Sequence, residues 1–124
     1  MGGDVGCALS NRPVFSEEEA AYIIKGALIA VTYCHEKNIV YRNIKPSNFV
    51  FKRTGSKFAK LIDFGSSADL SREPLPLNKM VGVPCYMAPE MLNESYNQNI
   101  DIWGVGVMMY ELLSKNLPFD ATSD

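Results

Sequence analysis

A chain of 124 residues has room for one small domain or for part of a larger one. Its hydrophobic fraction of 47%, with 10% aromatics, excludes a disordered tail. A net charge of −2 with no long run of one sign argues against a nucleic-acid or membrane-surface partner. Cys7, Cys34 and Cys85 are widely spaced and form no CxxC pair, so they read as reduced thiols of a cytoplasmic protein. Cys34 precedes His35, the only histidine, but no further soft ligand stands nearby to make a metal site.

Residues 1–14 are glycine-rich and carry no periodic pattern. The start Met1-Gly2-Gly3-Asp4-Val5-Gly6 has the glycine of a myristoylation site but lacks a Ser or Thr at the sixth position. A helix is expected over about 17–36, ending near Asn38. Ser16 and Glu19 form a capping box, with Phe15 and Ala20 at the staple positions. Ala20, Ile23, Ile24, Ala27, Leu28, Val31 and Cys34 recur at helical spacing. Ile39-Val40 and Phe49-Val50-Phe51 read as short strands. Phe58 to Ile62 reads as another, after a turn at Lys52-Arg53-Thr54-Gly55-Ser56.

Between Asp63 and Pro89 regular structure is not expected, because Pro74, Pro76 and Pro84 break helices and no alternation persists. So long a loop suggests function or disorder. After Asn99 a second helix begins, apolar on nearly every face through Ile100, Ile102, Trp103, Val105, Val107, Met108, Met109, Leu112 and Leu113. Such a helix is expected to be buried within a larger body. Its most apolar stretch, residues 102–110, is too short to cross a bilayer.

Four motifs follow in order. Tyr41-Arg42-Asn43-Ile44-Lys45-Pro46-Ser47-Asn48 resembles the catalytic loop of protein kinases, and Asp63-Phe64-Gly65 their metal-binding DFG triplet. Ala88-Pro89-Glu90 is similar to the motif closing the activation segment. Asp101-Ile102-Trp103-Gly104-Val105-Gly106 resembles the start of the central helix of the kinase C-lobe. Each is weak alone, but order and spacing together point to the eukaryotic protein kinase family. The resemblance covers residues 1–124, from the segment after the interlobe hinge (Gly2-Gly3-Asp4) to the central helix. It implies an α+β fold: a mainly helical C-lobe fragment with short β-hairpins around the catalytic loop and DFG.

The Lys45-Pro46-Ser47-Asn48 run resembles the serine/threonine branch. The stretches around Glu18-Glu19-Ala20-Ala21, Tyr33-Cys34-His35 and Asn38-Ile39-Val40 are similar to calcium/calmodulin-dependent and calcium-dependent protein kinases. No EF-hand loop occurs in the chain, so any calcium sensing lies elsewhere.

The resemblance implies ATP and Mg²⁺ as cofactors and a protein as substrate. Phosphoryl transfer is mostly positioning and charge neutralisation. Asn48 and Asp63 are the implied metal and cofactor ligands, both hard oxygen donors. Lys45 would set a positive charge by the transferring group, and Asp4 would approach the ribose or a basic residue of the substrate. On residue type alone, Lys45 and Asp4 are ordinary solvated charges, Asn48 a turn residue and Asp63 a loop cap.

The chain departs from the family pattern in four ways. Asn43 stands at the catalytic aspartate's position, where an amide cannot usefully accept the substrate proton. In Gly82-Val83-Pro84-Cys85-Tyr86-Met87, Val83 replaces a threonine whose hydroxyl links that aspartate to the lysine. Ser47 also replaces an acidic residue that often recognises basic substrates. Finally, the Gly-rich loop, the strand lysine, its glutamate partner and the arginine that pairs Glu90 are absent from these residues. The N-lobe and the later C-lobe helices are therefore expected to be missing, leaving ATP one wall of its cleft. Three readings follow: an impaired serine/threonine kinase, a pseudokinase that holds nucleotide or a protein partner, or a truncated product.

Overall fold

A computed structural model describes residues 3–53 and 55–119. The expectations at Met1, Gly2 and Thr54 lie outside the described residues. The fold is α+β, as expected, with four helices and four short strands among the described residues.

The first element was not legible in the sequence. Helix α1, Val5–Ser10, replaces the patternless start that was expected. Asp4 caps it, its Oδ1 accepting from the Cys7 amide at 2.7 Å. Two turns are too short to display a period, but Val5 and Leu9, four residues apart, are both buried.

Helix α2 spans Glu17–Glu36, where the capping box placed it. The Glu19 amide donates to Ser16 Oγ at 3.1 Å, and the Ser16 amide donates to Glu19 Oε1 at 3.0 Å. The expected apolar stripe is buried except at Leu28, which is exposed. Asn38, at a left-handed φ of 63°, turns the chain out of the helix into strand β1, Ile39–Val40.

Strands β2 (Phe49–Phe51) and β3 (Ala59–Leu61) form an antiparallel hairpin in the register Phe49↔Leu61, Val50↔Lys60 and Phe51↔Ala59. Phe58, expected to open the second strand, stays outside it and meets Tyr22 edge to face at 5.5 Å. The region after Asp63 is less irregular than expected. Strand β4, Ala68–Asp69, pairs antiparallel with β1, and Pro84 opens a single 3₁₀ turn at Pro84–Tyr86. Proline suits that first position, because its missing amide has no partner to lose there.

Helix α3 spans Pro89–Leu92 and helix α4 Asn99–Ser114. α4 is not buried all round. Ile100, Val105, Met108 and Leu112 enter the core, while Ile102, Met109 and Leu113 remain exposed. The elements present cover one side of it.

Two apolar clusters form the core. One joins α1, α2 and α4 around Ile23, Val31, Met108 and Leu112; the other gathers Val40, Leu77, Met91, Tyr96 and Ile100. The loop from Tyr41 to Asn48 lies at their seam: Tyr41 and Ile44 belong to the first, and Val40, just before it, to the second.

Candidate active site

The seam loop is anchored by one buried carboxylate. Asp101, in the first turn of α4, is 1% exposed. Its Oδ2 accepts from the Tyr41 amide at 2.8 Å and lies 2.9 Å from His35 Nε2; its Oδ1 accepts from the Arg42 amide at 2.8 Å. A buried carboxylate is tolerable when its lone pairs are filled in this way. Arg42 sits at a left-handed φ of 70°, a conformation that these bonds hold. Gly104, also on α4, lets the loop approach closely: a Cβ there would lie 2.8 Å from Ile44 Cβ.

Asn43 and Asn48 are brought together. The Asn48 Nδ2 donates to the Asn43 carbonyl at 2.8 Å, so the amide oxygen of buried Asn48 is the atom left to bind. Asp63 is fixed beside them through its neighbours. The Ile62 amide donates to the Asn48 carbonyl at 2.9 Å, and the Tyr41 hydroxyl donates to the Ile62 carbonyl. The Phe64 ring meets Tyr41 edge to face at 5.2 Å. Asp63 has a left-handed φ of 61°, and its Oδ1 accepts from the Gly65 amide at 3.2 Å. Its carboxylate is exposed. Burial, and then the charge of Asp63, push the Tyr41 phenol well above the usual tyrosine range, which keeps it a donor.

Asn43 and Val83 line one small cavity of about 20 Å³, together with Arg42, Tyr86 and Asp101. That is room for about one water. Among the described residues nothing hydrogen-bonds to the Asn43 side-chain amide, and Val83 presents only methyl groups to the cavity. Gly82 comes closer still, since a Cβ there would lie 2.6 Å from the Arg42 carbonyl oxygen.

Lys45 and Asp4 fall together in a separate cleft of about 530 Å³, with Cys7, Ser47, Tyr86 and Glu111. Asp4 is already engaged there as the cap of α1. Its Oδ2 also accepts from Cys7 Sγ at 3.3 Å, which raises the thiol's pKa. The Tyr86 hydroxyl donates to Glu111, and burial, then Glu111, raise its pKa. Sequence reasoning missed Glu111, and it read Asp101 only as the opening of a motif. A lone carboxylate in the first turn of an otherwise apolar helix was the available signal.

The whole chain, residues 1–124, matches the family described as protein kinase domain. The chain belongs to the protein kinase family. Relatives of this kinase chain include the serine/threonine-protein kinase PEPKR2 of Arabidopsis thaliana, 39% identical over 88% of the chain and 23% of the relative. Calcium-dependent protein kinase 14 of Arabidopsis thaliana is 40% identical over 99% of the chain and 23% of its own length. The calcium/calmodulin-dependent serine/threonine-protein kinase 1 of Oryza sativa subsp. japonica is 39% identical over 94% of the chain and 19% of its own length. The kinase chain thus spans about a fifth to a quarter of the length of such relatives. Among its described residues no helix is long and apolar enough to cross a membrane.

Proposed function

We propose that this chain supplies the metal-facing and substrate-facing side of a serine/threonine protein kinase site that retains nucleotide contacts and has lost the general base of phosphoryl transfer. The observation that carries the reading is Asn43. It occupies the seam loop beside Asn48 and Asp63, with an amide where proton acceptance is needed. Val83 supports it, because its side chain brings no hydroxyl to the same cavity to orient a group at residue 43.

The donor set fits Mg²⁺. Asn48 offers an amide oxygen and Asp63 an exposed carboxylate, both hard ligands, and Mg²⁺ keeps much of its water shell and needs few protein oxygens. Bound there with ATP, the ion would neutralise phosphate charge. Asp63 and Asn48 would orient it, and Lys45, in the neighbouring cleft, would face the phosphoryl group and the substrate. Asn43 would still hold the substrate hydroxyl by a hydrogen bond, but it would not take the proton. General-base assistance is worth roughly 10²–10⁴ in rate.

The same observation favours a second reading, a pseudokinase that binds a protein partner and makes no use of nucleotide. Two measurements on the longest natural form of the protein separate these. The first is the thermal shift with Mg²⁺ and ATP, for the parent and Asp63→Ala. The second is transfer of radiolabelled phosphate to a generic Ser/Thr peptide. The proposal expects a Mg²⁺-dependent shift that Asp63→Ala abolishes, with transfer at background. Transfer that vanishes in Asp63→Ala would refute it, and no shift at all would favour the partner-binding reading.

A further inference from the structure

Arg42 is 8% exposed, yet the partners of its guanidinium are neutral. Nε donates to the Ser66 carbonyl at 2.7 Å, one terminal nitrogen to the Ser67 carbonyl at 3.3 Å, and the other to the Tyr96 hydroxyl at 3.3 Å. Among the described residues no carboxylate forms an ion pair with it. Tyr96 is itself buried, and it reaches in a second direction. Its hydroxyl donates to the Lys79 carbonyl. Its backbone pairs with Leu77 both ways, the Leu77 amide donating to the Tyr96 carbonyl at 2.8 Å and the Tyr96 amide to the Leu77 carbonyl at 3.0 Å. Three residues beyond Lys79 the chain reaches Gly82, which packs on the Arg42 carbonyl.

We propose that Tyr96 is the latch that holds the activation segment on the catalytic loop, so that the segment keeps its place without a phosphate. A hydroxyl can do this because it accepts from Arg42 and donates to Lys79 at once. In many kinases the segment is ordered by a new arginine–phosphate pair. Here the stretch from Arg72 to Met87 contains no Ser or Thr. Its one other hydroxyl, on Tyr86, is half-buried and bonded to Glu111. Arg42 is engaged with carbonyl groups that β4 and its approach hold in position. Tyr96 is thus a positioning residue, acting through Lys79 and Arg42. The inference rests on the kinase assignment of this segment and not on whether Asn43 disables transfer, so the two can fail separately.

The test is amide hydrogen exchange, read by mass spectrometry, on the protein as purified, after phosphatase treatment, and as Tyr96→Phe. That substitution keeps the ring in its apolar cluster and the backbone bridge to Leu77. Exchange at the Leu77, Tyr86 and Met87 amides, which are bonded on either side of residues 79–83, should rise by about tenfold in Tyr96→Phe while α2 and α4 stay protected, and phosphatase should change nothing. Three results would overturn the proposal: deprotection by phosphatase, unchanged exchange in the variant, or equal loosening of α2 and of the Leu77, Tyr86 and Met87 amides. If Tyr96→Phe does not fold, trypsin digestion of the phosphatase-treated parent decides. The Lys79–Met80 bond, as exposed as Lys57–Phe58 but with its carbonyl held by Tyr96, should be cut about tenfold more slowly. Equal rates would contradict the latch.

Discussion

The Asp101 carboxylate holds the Arg42 amide at 2.8 Å across 59 residues of sequence, and with it the conformation of the whole catalytic loop. Removing it would leave the amides of Tyr41 and Arg42 buried without partners and free His35. Asp101→Ala should therefore cost about 3 kcal/mol or more in denaturant unfolding. Asp101→Asn keeps one acceptor oxygen and should cost less. Equal and small losses for both would mean that the loop is held by packing alone.

Gly82 packs closely on the Arg42 carbonyl, joining the activation segment to the loop. Gly82 has a φ of 99°, and an added Cβ would meet that oxygen at 2.6 Å. Gly82→Ala should destabilise the protein by roughly 1–3 kcal/mol, and exchange at the bonded Tyr86 and Met87 amides should rise. A stability equal to the parent's would show that the segment is free to move away.

The capping box predicts an acid-side effect. The Glu19 carboxyl is held below the usual glutamate range, first by the Ser16 amide that donates to it and then by Arg12. A lowered folded-state pKa adds stability above the unfolded value, and that stability is lost as pH falls through the folded one. The gap in melting temperature between the parent and Glu19→Gln should therefore be full at pH 6–7 and close below about pH 4. A gap that persists at pH 3 would rule out the carboxylate as its source.

Modification of the segment should be confined to Ser66, Ser67 and Ser71. Ser71 is exposed and its hydroxyl donates to Asp69 at 2.7 Å, whereas Ser67 is half-buried and lies near the Tyr41 carbonyl. Mass spectrometry of protein from its native cell should find any phosphate on these serines. Phosphate on Tyr86 would contradict the packing role that its bond to Glu111 gives it.

Local rules were the legible part of this fold. The Ser16–Glu19 box placed the start of α2 because both partners lie within one turn. The β2–β3 hairpin was legible because three apolar residues flank a turn signal. Helix α1 was not, since six residues show no period and its stability comes from Val5 and Leu9 docking on elements distant in sequence. Nor was the exposed side of α4, because apolar composition does not say which face finds a partner. In the site, motif order located Asn43, Asn48 and Asp63. The residues that set their geometry, Asp101, Gly82 and Tyr96, act across long separations that composition does not report.

The central claim is that Asn43 is the chemical lesion of an otherwise matching loop. The most direct measurement is phosphoryl transfer by Asn43→Asp in the longest natural form of the protein, with Mg²⁺ and ATP present and a thermal melt alongside. Val83→Thr is added because its hydroxyl would enter the cavity shared with Asn43. Metal matters in the assay, since a new carboxylate near Asp63 adds like-charge repulsion without it. The account predicts a parent at background, a gain of roughly 10²-fold or more for Asn43→Asp, and a further, more than additive gain with Val83→Thr. A well-folded double variant as inert as the parent, or a parent that already transfers phosphate in a Mg²⁺- and Asp63-dependent way, would contradict it.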